Sequence, residues 1–317
     1  MKVLLPDYLV DRLGEPVCQI APECALVPFD AAGRVDAELQ DAEVLFLRWG
    51  LGGEDLKRLL AGLPNLRWVH TISVGVEHVL FPELADSEVI LTNASGVFDI
   101  PIAETVLAYM LMVVKRMPEF LAQQQARRWQ KHELRELRGM TAGIVGLGSI
   151  GSEIARLCRA MGMSVLGLRR SGGPSPVADE VMPPERLGEL LARSDFVVIA
   201  APLTAETHGL IGAAELAAMK PDAWLINIAR GPIVDGAALI EALQTRRIGG
   251  ACLDVFDEEP LPASSPLWAL DNVILMPHNS WSSPHTEERS MSLFLENLRR
   301  YVHHEPLLNV VDKRVGY

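Results

Sequence analysis

The chain has 317 residues, room for about two domains at roughly 150 residues each. With 49% hydrophobic and 22% charged residues its composition is that of a globular protein, which excludes a disordered chain and a small disulfide scaffold. A formal charge of −12 argues against general binding of nucleic acid or an anionic membrane, since both need a basic face, but leaves room for a small anionic substrate in a locally positive cleft. Cys18, Cys24, Cys158 and Cys252 match neither a zinc knuckle nor a redox CxxC, so they read as buried, reduced thiols of a cytoplasmic protein, with no metal site expected. The N-terminal run is too short for a signal peptide, and the longest apolar run, Val106 to Val114, is well under the roughly 20 residues that span a bilayer.

In chain order, Lys2–Leu5, Val44–Leu47, Trp68–Thr71 and Val89–Thr92 read as strands, with helical patterns such as Glu54–Leu60 between them. A long helix is expected over about Ile100 to Lys115 and another over about Glu119 to Gln130, divided by Pro118. A second series then offers strands at Ala142–Val145, Ser164–Leu168, Phe196–Ala200, Trp224–Ile228, Ala251–Asp254 and Val273–Met276. Six strands with crossovers make a full dinucleotide-binding sheet. The amphipathic stretch from Thr286 to about Tyr301 follows that series and is expected to return to the first domain. The fold class is thus α/β, with one domain formed by 1–97 and 285–317 and the other by 98–284.

Within the second series, Gly146-Leu147-Gly148-Ser149-Ile150-Gly151 follows an apolar strand and opens a helical pattern. In such a loop the first glycine permits the tight turn, the second lets backbone N–H groups approach a pyrophosphate, and the third lets the helix pack on the strand. An acidic residue at the end of the next strand would accept from a free ribose 2′-hydroxyl. The chain instead has Arg169, Arg170 and Ser171 there, a set suited to a 2′-phosphate. This favours NADP(H) over NAD(H), although two solvated surface arginines would read the same way.

Farther along, Asn227 to Asp235 resembles the arginine signature of the D-isomer-specific 2-hydroxyacid dehydrogenases, Asp254 to Pro262 their glutamate signature, and Met276 to Ser280 their histidine signature. Upstream, Ser73 to His78 resembles the family's substrate-carboxylate loop, and Ala201 to Thr204 with Thr207 the segment beside the adenine. The resemblance spans nearly the whole chain. It implies a Rossmann dinucleotide-binding domain and a flavodoxin-like substrate domain, with the active site in the cleft between them; a length of 317 residues is expected to leave no room for the extra regulatory domains that some relatives carry.

Hydride transfer from a nicotinamide to a ketone leaves negative charge on oxygen, which a proton donor must neutralise. Histidine suits the task because its ordinary pKa of about 6.5 lies near working pH. His278, just past a strand end, is the candidate. Glu259 would hold the other imidazole nitrogen, and Arg230 would present its fork to the substrate carboxylate.

By resemblance alone, Pro202, Thr207 and Ala229 join the cofactor site, and the backbone N–H groups of Val74 and Gly75 hold the substrate carboxylate. Asp254 would touch the nicotinamide carboxamide or cap a turn, and Trp49 would line the substrate cleft or pack in the core. Glu77 stands where many relatives have aspartate, and Asn279 where glycine, alanine or valine is common. The expected activity is reduction of a small 2-oxoacid such as glyoxylate or hydroxypyruvate. A dinucleotide-sensing corepressor and a formate or phosphite dehydrogenase are the alternatives on the same scaffold. The apolar stretch from Ile100 to about Gln130, with Leu107, Met110, Leu111, Val114, Phe120 and Leu121, is expected to form a homodimer through the cofactor domains.

Overall fold

A computed structural model describes residues 1–35, 39–48 and 50–316. The chain divides into two compact units, Met1–Val97 with Ser283–Tyr317, and Phe98–Ser282. Among the described residues no helix is long and apolar enough to cross a membrane.

The first unit contains β1 (Lys2–Pro6), α1 (Val10–Ile20), β2 (Ala25–Phe29), β3 (Ala42–Phe46), α2 (Gly53–Ala61), β4 (Trp68–His70), the single turn α3 (Pro82–Ala85) and β5 (Ile90–Thr92). Its strands form a parallel sheet in the order β2-β1-β3-β4-β5, the flavodoxin-like order. A parallel sheet must be covered on both faces. Leu56 and Leu59 of α2 close one face against Leu45 and Val69, while Leu13 and Val17 of α1 and residues of the C-terminal helix close the other against Val3, Leu5 and Phe46. The sequence pattern missed α1 and β2, because α1 carries Pro16 and β2 carries Pro28 and alternates in burial as an edge strand does.

The second unit opens with α4 (Asp99–Val114) and α5 (Met117–Gln125). Pro118 does not break the helix, as the sequence pattern suggests. The chain turns at Arg116, which takes a φ of 50°, and Pro118 lies in the first turn of α5, where its missing N–H has no partner to lose. The helix ends at Gln125, and 126–140 run without regular structure. Next come β6 (Thr141–Val145), α6 (Ser149–Ala160), β7 (Ser164–Leu168), β8 (Glu180–Met182), α7 (Leu187–Arg193), β9 (Phe196–Ile199), α8 (Ala213–Ala218), β10 (Trp224–Asn227), α9 (Gly236–Gln244), β11 (Gly250–Leu253) and β12 (Val273–Leu275). Seven parallel strands, one more than expected, run β12-β11-β10-β9-β6-β7-β8. The addition is β8, a three-residue edge strand too short for a pattern of its own. The chain then returns to the first unit as α10 (Thr286–Val302), whose Phe294 stacks on Phe46 at 4.5 Å and on Trp68 at 5.5 Å.

Beside that stack His70 is fully buried, its Nδ1 2.8 Å from Thr92 Oγ1. The Trp68 indole N–H donates to the same hydroxyl at 2.8 Å, and that hydroxyl donates to the Val69 carbonyl at 3.5 Å. Burial holds the His70 pKa down at about 3. The folded ring therefore stays neutral while an unfolded chain takes up a proton below about 6.5, so stability falls as pH drops from about 6.5 toward 3, by about 1.4 kcal/mol per unit. In urea titrations at pH 7 and pH 5, wild-type protein should lose about 2 kcal/mol more than His70→Phe over the interval. Equal losses would contradict the burial of a neutral His70.

Candidate functional site

In open parallel sheets, side chains that meet a ligand stand beyond the carboxyl ends of the strands. Most residues singled out in the second unit lie there, after β6, β7, β9, β10, β11 and β12.

The histidine loop after β12 is built on Asp254, which directly follows β11 and is fully buried. The Asp254 backbone carbonyl accepts from the His278 N–H at 2.8 Å. Its carboxylate accepts from the N–H of Asn279 at 2.8 Å, from the N–H of Ser280 at 3.1 Å and from the Ser280 hydroxyl. These bonds hold His278 at a φ of 47°, a left-handed conformation that a residue with a Cβ adopts only when its surroundings impose it. The Trp281 indole N–H closes the turn by donating to the His278 carbonyl at 2.9 Å, and its ring meets Phe98 edge to face. Of the two roles open for Asp254 in the sequence, the structure shows the turn-capping contacts.

So oriented, His278 places Nδ1 2.7 Å from Glu259 Oε2, while Glu259 Oε1 accepts from the Phe256 N–H at 3.0 Å. An ionised carboxylate only accepts, so Nδ1 carries the hydrogen and Nε2 is the exchangeable position. Both side chains are more than a third exposed.

Arg230 follows β10 in a turn shaped by Asn227, which is 2% exposed. The Asn227 amide donates to the Arg230 carbonyl at 3.0 Å and accepts from the Ala229 N–H at 3.1 Å. Gly231 lets this turn lie against the 256–259 loop, since a Cβ there would sit 2.1 Å from the Phe256 carbonyl carbon. The Arg230 guanidinium donates to the Ala229 carbonyl at 2.7 Å. Asn227 and Ser280 shape the site without carrying its chemistry, and both lie inside the quoted sequence signatures.

The glycine loop fits a dinucleotide. Gly146 has a φ of 106°, and a Cβ on Gly151 would lie 1.9 Å from the Gly146 carbonyl, so the turn and the close helix both require glycine. A Cβ on Gly148 would meet nothing within 4 Å, which marks an open cradle at the N-terminus of α6. Ser149 and Ile150 form the first turn of α6, with the Ser149 hydroxyl bonded to Asp99. After β7 the two arginines differ. The Arg169 guanidinium donates to the carbonyls of Gly172, Gly173 and Pro174, at 2.8 Å for Gly172, and so folds its own loop. Arg170 faces outward with Nη1 3.8 Å from Glu206, an acid the sequence reading did not name. Ser171 is exposed at the tip of the same loop. The Thr207 hydroxyl donates to the Pro202 carbonyl at 2.6 Å, pinning the loop after β9.

In the first unit, Val74 and Gly75 lie in the loop after β4, with Glu77 exposed beside them. Trp49 lies outside the described residues.

Comparison with known proteins agrees with this architecture. The family description "D-isomer specific 2-hydroxyacid dehydrogenase, NAD binding domain" matches residues 107–280. The chain is 32% identical over 312 residues to D-3-phosphoglycerate dehydrogenase of Methanocaldococcus jannaschii, covering 96% of this chain but 59% of that protein. It is 37% identical over 269 residues to glyoxylate/hydroxypyruvate reductase B of Yersinia pestis, covering 83% of this chain and 81% of that protein. The structure of a D-isomer-specific 2-hydroxyacid dehydrogenase from Xanthobacter autotrophicus Py2 in complex with NADPH and MES superposes with a TM-score of 0.88 at 31% identity, over 100% of this chain and 99% of that one.

The clamp predicts that Asp254→Ala costs more than the loss of a surface carboxylate. Two backbone donors and a hydroxyl would be stranded, at about 1–3 kcal/mol for each buried unsatisfied group. Thermal unfolding should show a fall in Tm several times that of Glu258→Ala. Equal shifts would mean that Asp254 does not hold the loop.

Proposed function

The chain belongs to the D-isomer-specific 2-hydroxyacid dehydrogenase family, and from that premise we propose that it is an NADP(H)-preferring reductase of a small 2-oxoacid of the glyoxylate or hydroxypyruvate type. The observation that carries this reading is the 2.7 Å bond from His278 Nδ1 to Glu259, on a loop held in a left-handed turn by Asp254. A bound reduced nicotinamide supplies the hydride that reaches the ketone carbon. His278 delivers a proton from Nε2 to the ketone oxygen as negative charge develops there, and Glu259 stabilises the imidazolium form that does so. Arg230 presents its planar fork to the substrate carboxylate and ketone. The backbone N–H groups of Val74 and Gly75 give the carboxylate further donors. The same groups run the oxidation of a D-2-hydroxyacid in reverse.

Gly146, Gly148, Ser149, Ile150 and Gly151 would cradle the pyrophosphate at the start of α6. Pro202, Thr207 and Ala229 would border the rest of the dinucleotide, with Asp254 shaping the loop beside it. NADP(H) is favoured by the absence of an acid at the end of β7, and the NADPH-bound relative supports this. Arg170 would meet the 2′-phosphate, while Arg169 keeps the loop in shape. Arg170→Ala should therefore lower the NADPH-to-NADH ratio of kcat/KM by about tenfold, the loss of one charge-assisted contact. Arg169→Ala should weaken both cofactors together. Steady-state kinetics with each cofactor checks this, and a ratio unchanged in Arg170→Ala would contradict it.

His278→Asn should lower kcat for 2-oxoacid reduction by about 10²–10⁴-fold, the usual contribution of general acid catalysis. The test is a panel of 2-oxoacids with NADPH and with NADH, followed by the absorbance of the reduced nicotinamide. Turnover of glyoxylate or hydroxypyruvate, lost in His278→Asn, is the expected result. Binding of NADPH without turnover of any oxoacid would favour a dinucleotide-sensing protein instead.

The working form proposed is a cytoplasmic homodimer joined through the second units. Met117, Leu121, Trp129 and Leu134 lie on or after α5 and are 43%, 51%, 96% and 44% exposed, an apolar face suited to a second copy. Sedimentation at micromolar concentration should give twice the chain mass, and Leu121→Glu with Trp129→Ala should give the single mass. A monomeric wild type would overturn the dimer.

A further inference from the structure

An acid reaches the nucleotide end of the second unit from a strand end where the sequence motifs expect none. In the second sheet β7 and β9 lie on either side of β6, so the loops that follow them flank the glycine loop. The loop after β7 carries Arg170. The loop after β9 carries Glu206, whose Oε2 lies 3.8 Å from Arg170 Nη1. The two charges therefore meet across the glycine loop, although their strands are not neighbours.

The backbone that carries Glu206 is held firmly. The Glu206 N–H donates to Thr204 Oγ1 at 3.2 Å, and the Thr204 N–H donates to Thr207 Oγ1 at 2.8 Å. The Thr207 hydroxyl donates to the Pro202 carbonyl at 2.6 Å, and the His208 N–H to the Thr204 carbonyl at 3.0 Å. The side chains at the contact are open by comparison, Arg170 54% and Glu206 76% exposed. An ion pair between groups so exposed is weak in water, so a ligand entering between them separates it readily.

A carboxylate at this place acts with opposite sign on the two nicotinamide cofactors. It accepts a hydrogen bond from a free ribose 2′-hydroxyl, the task of the acid that the end of β7 lacks. It repels a 2′-phosphate, which carries about two negative charges near neutral pH, and it competes with that phosphate for Arg170. We propose that Glu206 is a specificity-determining residue, which supplies from the loop after β9 the acid missing after β7. Arg170 takes the 2′-phosphate of NADPH and Glu206 the 2′-hydroxyl of NADH. The pair thereby moderates the NADP(H) preference and keeps NADH a working cofactor. The inference rests on the proposed reading of the loop after β7 as the ribose site, and it goes beyond that reading in assigning the opposing group.

The experiment reads binding directly, by calorimetric titration with 2′,5′-ADP and 5′-AMP, two probes that differ only in the 2′-phosphate. Wild type, Glu206→Gln, Glu206→Ala and Arg170→Ala are compared, with kcat/KM for NADPH and NADH measured alongside. At low ionic strength Glu206→Gln should tighten 2′,5′-ADP by about three- to tenfold, and the gain should vanish toward about 0.5 M salt. Glu206→Ala should weaken 5′-AMP by about threefold and lower kcat/KM for NADH to match, raising the NADPH-to-NADH ratio. Unchanged affinity for 2′,5′-ADP in Glu206→Gln would overturn the proposal, as would parallel shifts for both probes. Tighter 2′,5′-ADP in Glu206→Gln with no loss of it in Arg170→Ala would support the role of Glu206 and overturn the reading of Arg170 as the phosphate partner.

Discussion

A buried carboxylate organises the histidine loop of the second unit. Asp254 is fully buried at the end of β11, and both its oxygens accept from the chain just past His278. An ionised group buried without such partners would cost several kcal/mol, so the loop and the carboxylate stabilise one another. The left-handed turn at His278 follows from that clamp, and the contact of its imidazole with Glu259 follows from the turn. Removing Asp254 thus acts on the His278–Glu259 pair through the backbone.

The same construction recurs at the other strand ends. One side chain fixes a short turn, and the turn presents its neighbour at the strand end. Asn227 fixes the turn of Arg230, and Arg169 the loop of Arg170. Short, saturated turns on rigid parallel strands suit a site that must hold charge at defined positions, because a loose loop would spend binding energy on ordering itself.

Much of this was legible in the sequence. The apolar runs of β1, β3, β4 and β5 and of six strands in the second unit stand out because strands buried on both faces read as continuous hydrophobic segments. The edge strands β2 and β8 did not, since one carries a proline and both are only partly buried. The break at Arg116 was misassigned to Pro118 because a proline marks a helix start as readily as an end. The need for glycine in the turn after β6 and the pairing of Glu259 with His278 were readable from residue type and order. The division of labour between Arg169 and Arg170 was not, because it depends on where a guanidinium finds carbonyls in a folded loop. The contact between Arg170 and Glu206 was hidden for the same reason, its partners being 36 residues apart.

The account's central claim is that His278 and Glu259 act as one proton-delivering unit. A double-mutant cycle on kcat/KM for glyoxylate reduction, with His278→Asn, Glu259→Gln and the double variant, tests it most directly. If the claim holds, the double variant is no slower than His278→Asn alone, because the carboxylate has nothing left to stabilise. Losses that multiply, so that the double variant falls by the product of the two single effects, would show that Glu259 acts independently of His278 and would contradict the claim.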